Sequence, residues 1–250
     1  MSYKDKFYAK YYSTHVLHRK GAADLEQFRQ RARYYQNTLA KFFPRDKQAK
    51  IIDVGRGNGS LVWWLQQAGF TNAEGIDISP ELVAVAQSLG VANVMQADLV
   101  TFLAARQDSY DAVILRDVIE HFTKEVIVDT LEICHSSLKS NGLMIVQAPN
   151  AESPFFGRIR YGDFTHEIAF SASSLEQLLR VIGFSQIQIH PTGPAIISGI
   201  RSLFRFLSWR AVEALYRFLI YAETGRSDSI VTESIIAVSV KSDVHKPTQQ

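Results

Sequence analysis

Three stretches of this 250-residue sequence carry side chains whose types and spacing can do chemistry. The first is Ile51-Ile52-Asp53-Val54-Gly55-Arg56-Gly57-Asn58-Gly59, followed by helix-compatible Ser60–Ala68. A strand that turns sharply into a helix leaves unpaired backbone N–H groups aimed at whatever lies over the helix N-terminus. Glycines there admit positive φ and a close ligand. The result is a nucleotide-type cradle. Its glycines fall at 55, 57 and 59, and position 60 is Ser, so the spacing departs from the dinucleotide pattern G-x-G-x-x-G. The second stretch is a pair of acids at strand ends. Asp77 closes Ala73–Asp77, where a carboxylate can accept both ribose hydroxyls of a nucleoside, or cap the helix that Ser79-Pro80-Glu81 opens. Asp98 closes Asn93–Ala97 and has the same two readings. The third is Ala148-Pro149-Asn150 and the loop from Arg158 through Tyr161, Gly162, Asp163, Phe164, Thr165 and His166 to Glu167, dense in titratable groups. A His titrates near neutrality and suits removal of a hydroxyl proton; Asp163 or Glu167 could orient its ring. The bland alternative is a structural His bonded within the loop.

These side chains need a scaffold that brings strand ends together. Strand and helix patterns alternate from Lys50 through Pro149, with strands at Ile51–Val54, Ala73–Asp77, Asn93–Ala97, Tyr110–Leu115 and Leu143–Gln147. Such alternation implies a parallel, doubly wound sheet with right-handed crossovers and ligands at the carboxyl ends of its central strands. Ser173–Ile182 reads as a helix stopped by Gly183. Phe184–His190 and Ile235–Val240 alternate as strands six and seven. Residues 3–43 read as helical, broken at Gly21, with Asp24 as a cap for the second helix. The chain therefore divides into a helical arm or lid, 1–48, and a main domain, 49–250, with an insertion at about 195–229. On a helical wheel Leu203, Phe204, Leu207, Ala211, Ala214, Leu215 and Phe218 share one side of that insertion. Arg201, Arg205, Arg210, Glu213 and Arg217 share the other, with Phe206 and Trp209 intruding on the polar arc.

The cradle, the two acids and the string Arg116-Asp117-Val118-Ile119-Glu120-His121, in that order and at βα spacing, resemble the class I S-adenosylmethionine-dependent methyltransferases. The resemblance covers roughly residues 50–184. It implies a Rossmann-like α/β fold with seven strands, the last antiparallel, and S-adenosyl-L-methionine as cofactor. It implies cofactor contacts from Asp53, Gly55, Gly57, Gly59, Asp77, Ile78, Asp98, Leu99, Arg116 and His121, with Asp98 at the adenine amino group and His121 near the methionine end. The segment Arg-x-Tyr-Gly-Asp-Phe-Thr-His-Glu resembles one in methyltransferases acting on sugars of bacterial polysaccharide and glycolipid pathways. That implies His166 as base, Asp163 and Glu167 beside it, and Asn150, Arg158 and Tyr161 toward a glycan or other small-molecule acceptor. Quinone-biosynthesis O-methyltransferases have a similar His, so a phenol is the second acceptor class. Arg56 departs from the family, which often has a small residue there; a cation in the loop could crowd the cofactor. A nicotinamide-dependent oxidoreductase and a non-catalytic binding module are the readings from other classes.

Composition narrows the setting. The apolar fraction of 46% is that of a globular chain, and a single cysteine, Cys134, precludes an internal disulfide and fits a reducing, cytoplasmic compartment. No signal-type apolar run opens the sequence, and no stretch of 18 uncharged apolar residues is present. The net charge of +2 hides an asymmetry: residues 1–50 carry twelve Lys/Arg against four Asp/Glu. No RNA-binding signature accompanies that basic arm, so nucleic acid is not expected as a partner. The amphipathic, arginine-bearing 200–222 segment suits an anionic membrane surface at the inner face, a homodimer contact or a flap over the substrate. No His or Cys pair has metal-ligand spacing, so no metal is expected.

Overall fold

The computed structural model describes residues 3–55, 57–193, 199–226 and 228–242; Arg56, His245 and part of the 195–229 insertion lie outside the described residues. Seven strands form one sheet: β1 (Ile51–Val54), β2 (Ala73–Asp77), β3 (Val94–Gln96), β4 (Tyr110–Arg116), β5 (Leu138–Pro149), β6 (Phe184–Pro191) and β7 (Ser234–Lys241). Their order is β3-β2-β1-β4-β5-β7-β6. β1 through β5 pair in parallel, and β7 lies antiparallel between β5 and β6. The strand order reverses between β1 and β4, the place where doubly wound sheets bind ligands.

The helices are α1 (Tyr3–Tyr8), α2 (Leu17–Lys20), α3 (Leu25–Thr38), α4 (Ser60–Gln67), α5 (Pro80–Ser88), α6 (Leu99–Ala104), α7 (Lys124–Ser137), α8 (Phe156–Arg160), α9 (Ala172–Ile182) and α10 (Gly199–Thr224), with a π-helical turn at Tyr12–Val16. Because side chains alternate across a strand, the sheet feeds two cores. Ile52, Val54, Val113, Leu115, Met144 and Val146 face one side with α7 and α9 residues such as Leu131, Cys134, Leu175 and Leu179. Ile51, Ala112, Ile114 and Ile145 face the other with Tyr35, Leu61, Trp64 and Leu65 of α3 and α4. Burial on both faces is why the central strands read as near-continuous apolar runs.

The local signals act as the sequence predicts. The Asp24 side chain accepts from the Gln27 N–H and caps α3, and Gly183 ends α9 in a left-handed conformation. β5 begins five residues before the predicted strand, because α7 passes straight into it at Leu138. The helical first segment divides differently from the predicted 1–48 arm. Phe28 and Tyr35 of α3 are fully buried, so α3 belongs to the core, whereas no described side chain of α1, the π turn or α2 is fully buried.

α10 shows which side of the helical wheel the protein covers. Among the described side chains of α10, Ser202, Phe206, Trp209, Glu213, Tyr216, Arg217 and Ile220 are covered or partly covered, mostly at helical spacing, so this stripe faces the body of the protein. Trp209 sits 6.2 Å from the Phe155 ring, and the 8%-exposed Glu213 is held by Arg210 at 2.5 Å and Arg217 at 2.9 Å. The predicted apolar face points outward: Leu203, Phe204, Leu207, Leu215 and Phe218 are all more than half exposed. No helix among the described residues is long and apolar enough to cross a membrane.

Candidate active site

The glycine turn after β1 is built for close approach. Gly55, Gly57 and Gly59 all have positive φ, and Gly59 is the N-cap of α4. A Cβ on Gly55 would lie 2.4 Å from Val118 Cγ2, so that position admits no side chain even apart from its φ. Asp77, at the end of β2, is 8% exposed and ties the turn together: one carboxylate oxygen accepts from Gly57 N–H at 2.9 Å, the other from Ser79 N–H at 2.8 Å. Asp98 accepts from the Thr101 N–H and hydroxyl through one oxygen, capping α6 and leaving its second oxygen available. Asp98 thus caps its helix as one of its two readings had it, whereas Asp77 does not: Ser79 is the N-cap of α5, and the Asp77 carboxylate bonds Gly57 and Ser79 instead.

Gly55, Gly57, Asp77 and Asp98 line a cavity of about 280 Å³ together with Ile78, Leu99, Arg116, Asp117 and His121. The residues present fit S-adenosylmethionine: a turn with no side chain in the way, a carboxylate at ribose depth and the 46%-exposed Ile78 as an apolar face for a base. Asp53 and Gly59 do not line this cavity. Asp53 is 1% exposed, behind the turn and beside Arg116, so it supports the cradle from below. Arg116 is partly buried, with its guanidinium 4.9 Å from the Tyr35 ring centre. Burial works against its charge, but Tyr35, Asp53 and Asp117 outweigh that and raise its pKa.

A second, more polar cavity of about 450 Å³ adjoins the first; Tyr11, His15, Asp117 and His121 line both. His166, Asp163, Glu120, Arg158 and Arg19 add titratable groups to its wall. His121 and His166 stand edge to face with ring centres 4.7 Å apart. The Thr165 hydroxyl donates to Asp163 at 2.7 Å, so its oxygen can only accept from His121 Nδ1–H, at 2.8 Å. His166 Nδ1 faces the Ile159 carbonyl at 3.0 Å and must carry the proton of that bond. Each ring in its neutral form therefore keeps its lone pair on Nε2. Burial first, then the adjacent His166, push the His121 pKa down to about 4.

The predicted partners of His166 are elsewhere. The Asp163 carboxylate takes bonds from Tyr11 and from the Thr165 hydroxyl and N–H. Burial alone would raise its pKa; these donors hold it at about 2. The Glu167 carboxylate binds the Tyr3 hydroxyl at 2.5 Å and Lys4 at 3.0 Å. The Ile159 carbonyl, not an acid, orients His166. Two predicted acceptor residues also take other roles. Asn150 is fully buried, donating to the Ile230 and Thr232 carbonyls, and bonds β5 to the segment before β7. Tyr161 is 76% exposed, under the Arg160 guanidinium, and does not line the cavity. Arg158 does line it.

Sequence reasoning named the arm and quoted Glu120, but missed the burial of Glu120 and the arm's partners. Glu120 is 1% exposed, and neither of its carboxylate oxygens has a hydrogen-bond partner among the described residues. Burial, reinforced by Asp117, pushes its carboxyl well above the usual range. Its backbone carbonyl accepts from the N–H groups of Glu167 and Ile168 at 2.7 and 3.2 Å, which ties the His166 loop to β4's end. Residues 3–20 close over both cavities: Tyr3, Lys4 and Tyr11 bond the far loop and the His121 carbonyl, and Ser13 bonds Glu81. The aromatic and hydroxyl pattern of this arm was visible in the sequence; the partners, more than 60 residues away, were not.

The model of the family described as "Methyltransferase domain" matches residues 28–189. Among curated proteins, none matches the chain in sequence. Solved structures share its fold. A SAM-dependent methyltransferase from Archaeoglobus fulgidus is 21% identical with a TM-score of 0.64, over 86% of this chain and 97% of that one. A putative methyltransferase of Haloferax volcanii, solved with the Trm112 activator, is 14% identical with a TM-score of 0.63, over 97% and 99%. A Haemonchus contortus phosphoethanolamine N-methyltransferase, in complex with phosphomonomethylethanolamine and S-adenosylhomocysteine, is 14% identical with a TM-score of 0.61, over 94% of this chain and 60% of that one. The family match spans both the glycine turn and the His166 loop and disposes of the nicotinamide reading: the chain belongs to the methyltransferase-domain family and is an S-adenosylmethionine-dependent methyltransferase.

Proposed function

We propose that this enzyme O-methylates a sugar hydroxyl on a glycan or lipid-linked intermediate, and that His166 takes the hydroxyl proton. The observation that carries the reading is the position of His166 on the polar cavity next to the cofactor cleft, with Nδ1–H committed to the Ile159 carbonyl. S-adenosylmethionine supplies an electrophilic methyl group on a good leaving group. The chain's own work is then alignment and proton management. A hydroxyl must lose its proton as its oxygen gains the new bond; the His166 Nε2 lone pair can receive it. Arg158 and Arg19 as donors, and Asp117 and Glu233 as acceptors, line the same cavity and suit a many-hydroxyl ligand. Residues 3–20 serve as a lid that keeps water from the methyl group. Mass spectrometry of sugar, lipid-linked and phenolic acceptors incubated with enzyme and cofactor tests this. A one-methyl gain on the sugar acceptors is expected; a gain confined to phenols would replace the acceptor class.

The lipid-linked branch is supported by α10. Its outward apolar face and the exposed Arg201 and Arg205 match an anionic bilayer surface, with the arginines toward head groups. Co-sedimentation with phosphatidylglycerol-containing vesicles is expected at low salt and should weaken as salt rises. Deleting residues 200–222 should abolish it and leave cofactor binding intact. A stable dimer that ignores vesicles would instead assign this face to a second copy of the chain.

A further inference from the structure

Glu120, His121 and His166 each offer a ligand atom, and the three atoms lie within 4.8 Å of one another. The sequence expectation of no metal rested on spacing, and His121 and His166 are far apart in the chain. The fold joins them through the backbone bonds from Glu167 and Ile168 to the Glu120 carbonyl. We propose that these three side chains form a seat for a divalent cation of the Zn²⁺ class, filled in competition with proton acceptance by His166. The competition clause rests on the function proposed above; the seat itself does not.

Three independent features of the site point to a cation. The Glu120 carboxylate is 1% exposed and neither oxygen has a partner among the described residues, yet the residue lines the polar cavity. A buried carboxylate without donors is costly unless something positive meets it. Both imidazoles are already arranged as ligands: each Nδ1–H is held by an oxygen acceptor, which fixes the ring and places the lone pair on Nε2. For His121 that acceptor is Thr165, itself bonded to the Asp163 carboxylate, so a carboxylate–hydroxyl–imidazole chain stands behind the ligand. For His166 it is the Ile159 carbonyl. Such outer partners are what orient metal-ligating histidines and raise their basicity. Finally, two nitrogens and one carboxylate oxygen suit Zn²⁺ rather than Mg²⁺ or Ca²⁺, which take mainly oxygen. Three protein ligands leave one position open toward the cavity, where water or a hydroxyl would complete a tetrahedron.

One lone pair cannot serve two ends. With the cation in place, His166 Nε2 no longer accepts a proton, so Zn²⁺ is an inhibitor of the enzyme as proposed and the seat is a control point. Calorimetric titration of chelator-treated full-length protein with Zn²⁺ tests the seat without any turnover. A single site is expected, weakened at least about tenfold in each of Glu120→Gln, His121→Gln and His166→Gln. Thr165→Val removes the oxygen behind His121, together with its bond to Asp163, while keeping all three ligand side chains, and should cost about ten- to a hundredfold. The visible absorption of Co²⁺ in the same protein should show a nitrogen–oxygen ligand field that these variants lose. Absence of binding, or equal affinity in all four variants, would overturn the seat. Failure here leaves the role of His166 as base untouched. Conversely, a His166→Gln enzyme that turns over normally but no longer binds Zn²⁺ would keep the seat and remove the base.

Discussion

Turnover of His166→Ala should fall at least about a hundredfold, and up to about ten-thousandfold, with cofactor affinity little changed. A positioned base contributes about that range, or roughly 2.7–5.5 kcal/mol of barrier. The separation of effects follows from where the side chain is. His166 lines the polar cavity alone, whereas His121 lines both cavities. Truncation of His166 removes the Nε2 lone pair and the bond to the Ile159 carbonyl, but leaves Asp77, the glycine turn and Ile78 in place. The loop should persist, because the main chain at 166–168 is held from outside the ring. Arg160 donates to the His166 and Glu167 carbonyls, and Glu167 and Ile168 donate to Glu120. His121→Ala is the informative control: it should affect cofactor binding more. Single-turnover rates alongside S-adenosylhomocysteine titrations would check both. A His166→Ala enzyme with near-normal turnover would leave alignment as the whole mechanism.

The second large effect belongs to the cofactor side. Asp77→Ala should weaken S-adenosylhomocysteine binding by one to two powers of ten, from roughly 1.5–3 kcal/mol for bonds to a charged group. Two losses combine. The ribose hydroxyls lose their acceptor, and the N–H groups of Gly57 and Ser79 lose the oxygens that hold the turn in its ligand-ready shape. Asp77→Asn is not a mild version. Its amide nitrogen would face one of those two N–H donors, so a donor would meet a donor. Calorimetry reads the affinity, and a thermal melt separates it from any loss of fold. Unchanged affinity in Asp77→Ala would remove the residue from the site.

Much of this architecture could be read before any coordinates because it is written in local patterns. The central strands are apolar on consecutive residues because both sheet faces are covered, and the turn is marked by Gly55, which alone fits beside Val118, and by two further glycines with positive φ. Asp24 and Gly183 announce helix ends for the same reason: capping is a matter of neighbours in sequence. The acceptor side is a different kind of object. Tyr11 meets Asp163 across 152 positions, and His121 meets Thr165 across 44. Nothing local in Asn150 distinguishes a side chain that bonds a substrate from one that bonds Ile230 and Thr232. A helical wheel sorts α10 into faces but cannot say which face the rest of the molecule covers. There the stripe through Phe206, Trp209 and Glu213 faced inward, and the larger apolar face was left outside.

The placement of α10 in the chain has a thermodynamic corollary. Thr192 and Gly193, just before the insertion, and Glu233 and Ser234, just after it, are wall residues of the polar cavity. Phe155, which Trp209 touches, immediately precedes the helix carrying Arg158. A ligand on the outer face of α10 and a ligand in the cavity thus share a common mechanical boundary. Any free energy by which the first alters the fit of the second must be returned in equal measure, since coupling between two binding sites is reciprocal. If α10 binds the bilayer surface proposed for it, an acceptor that strengthens that binding would itself be bound more tightly there.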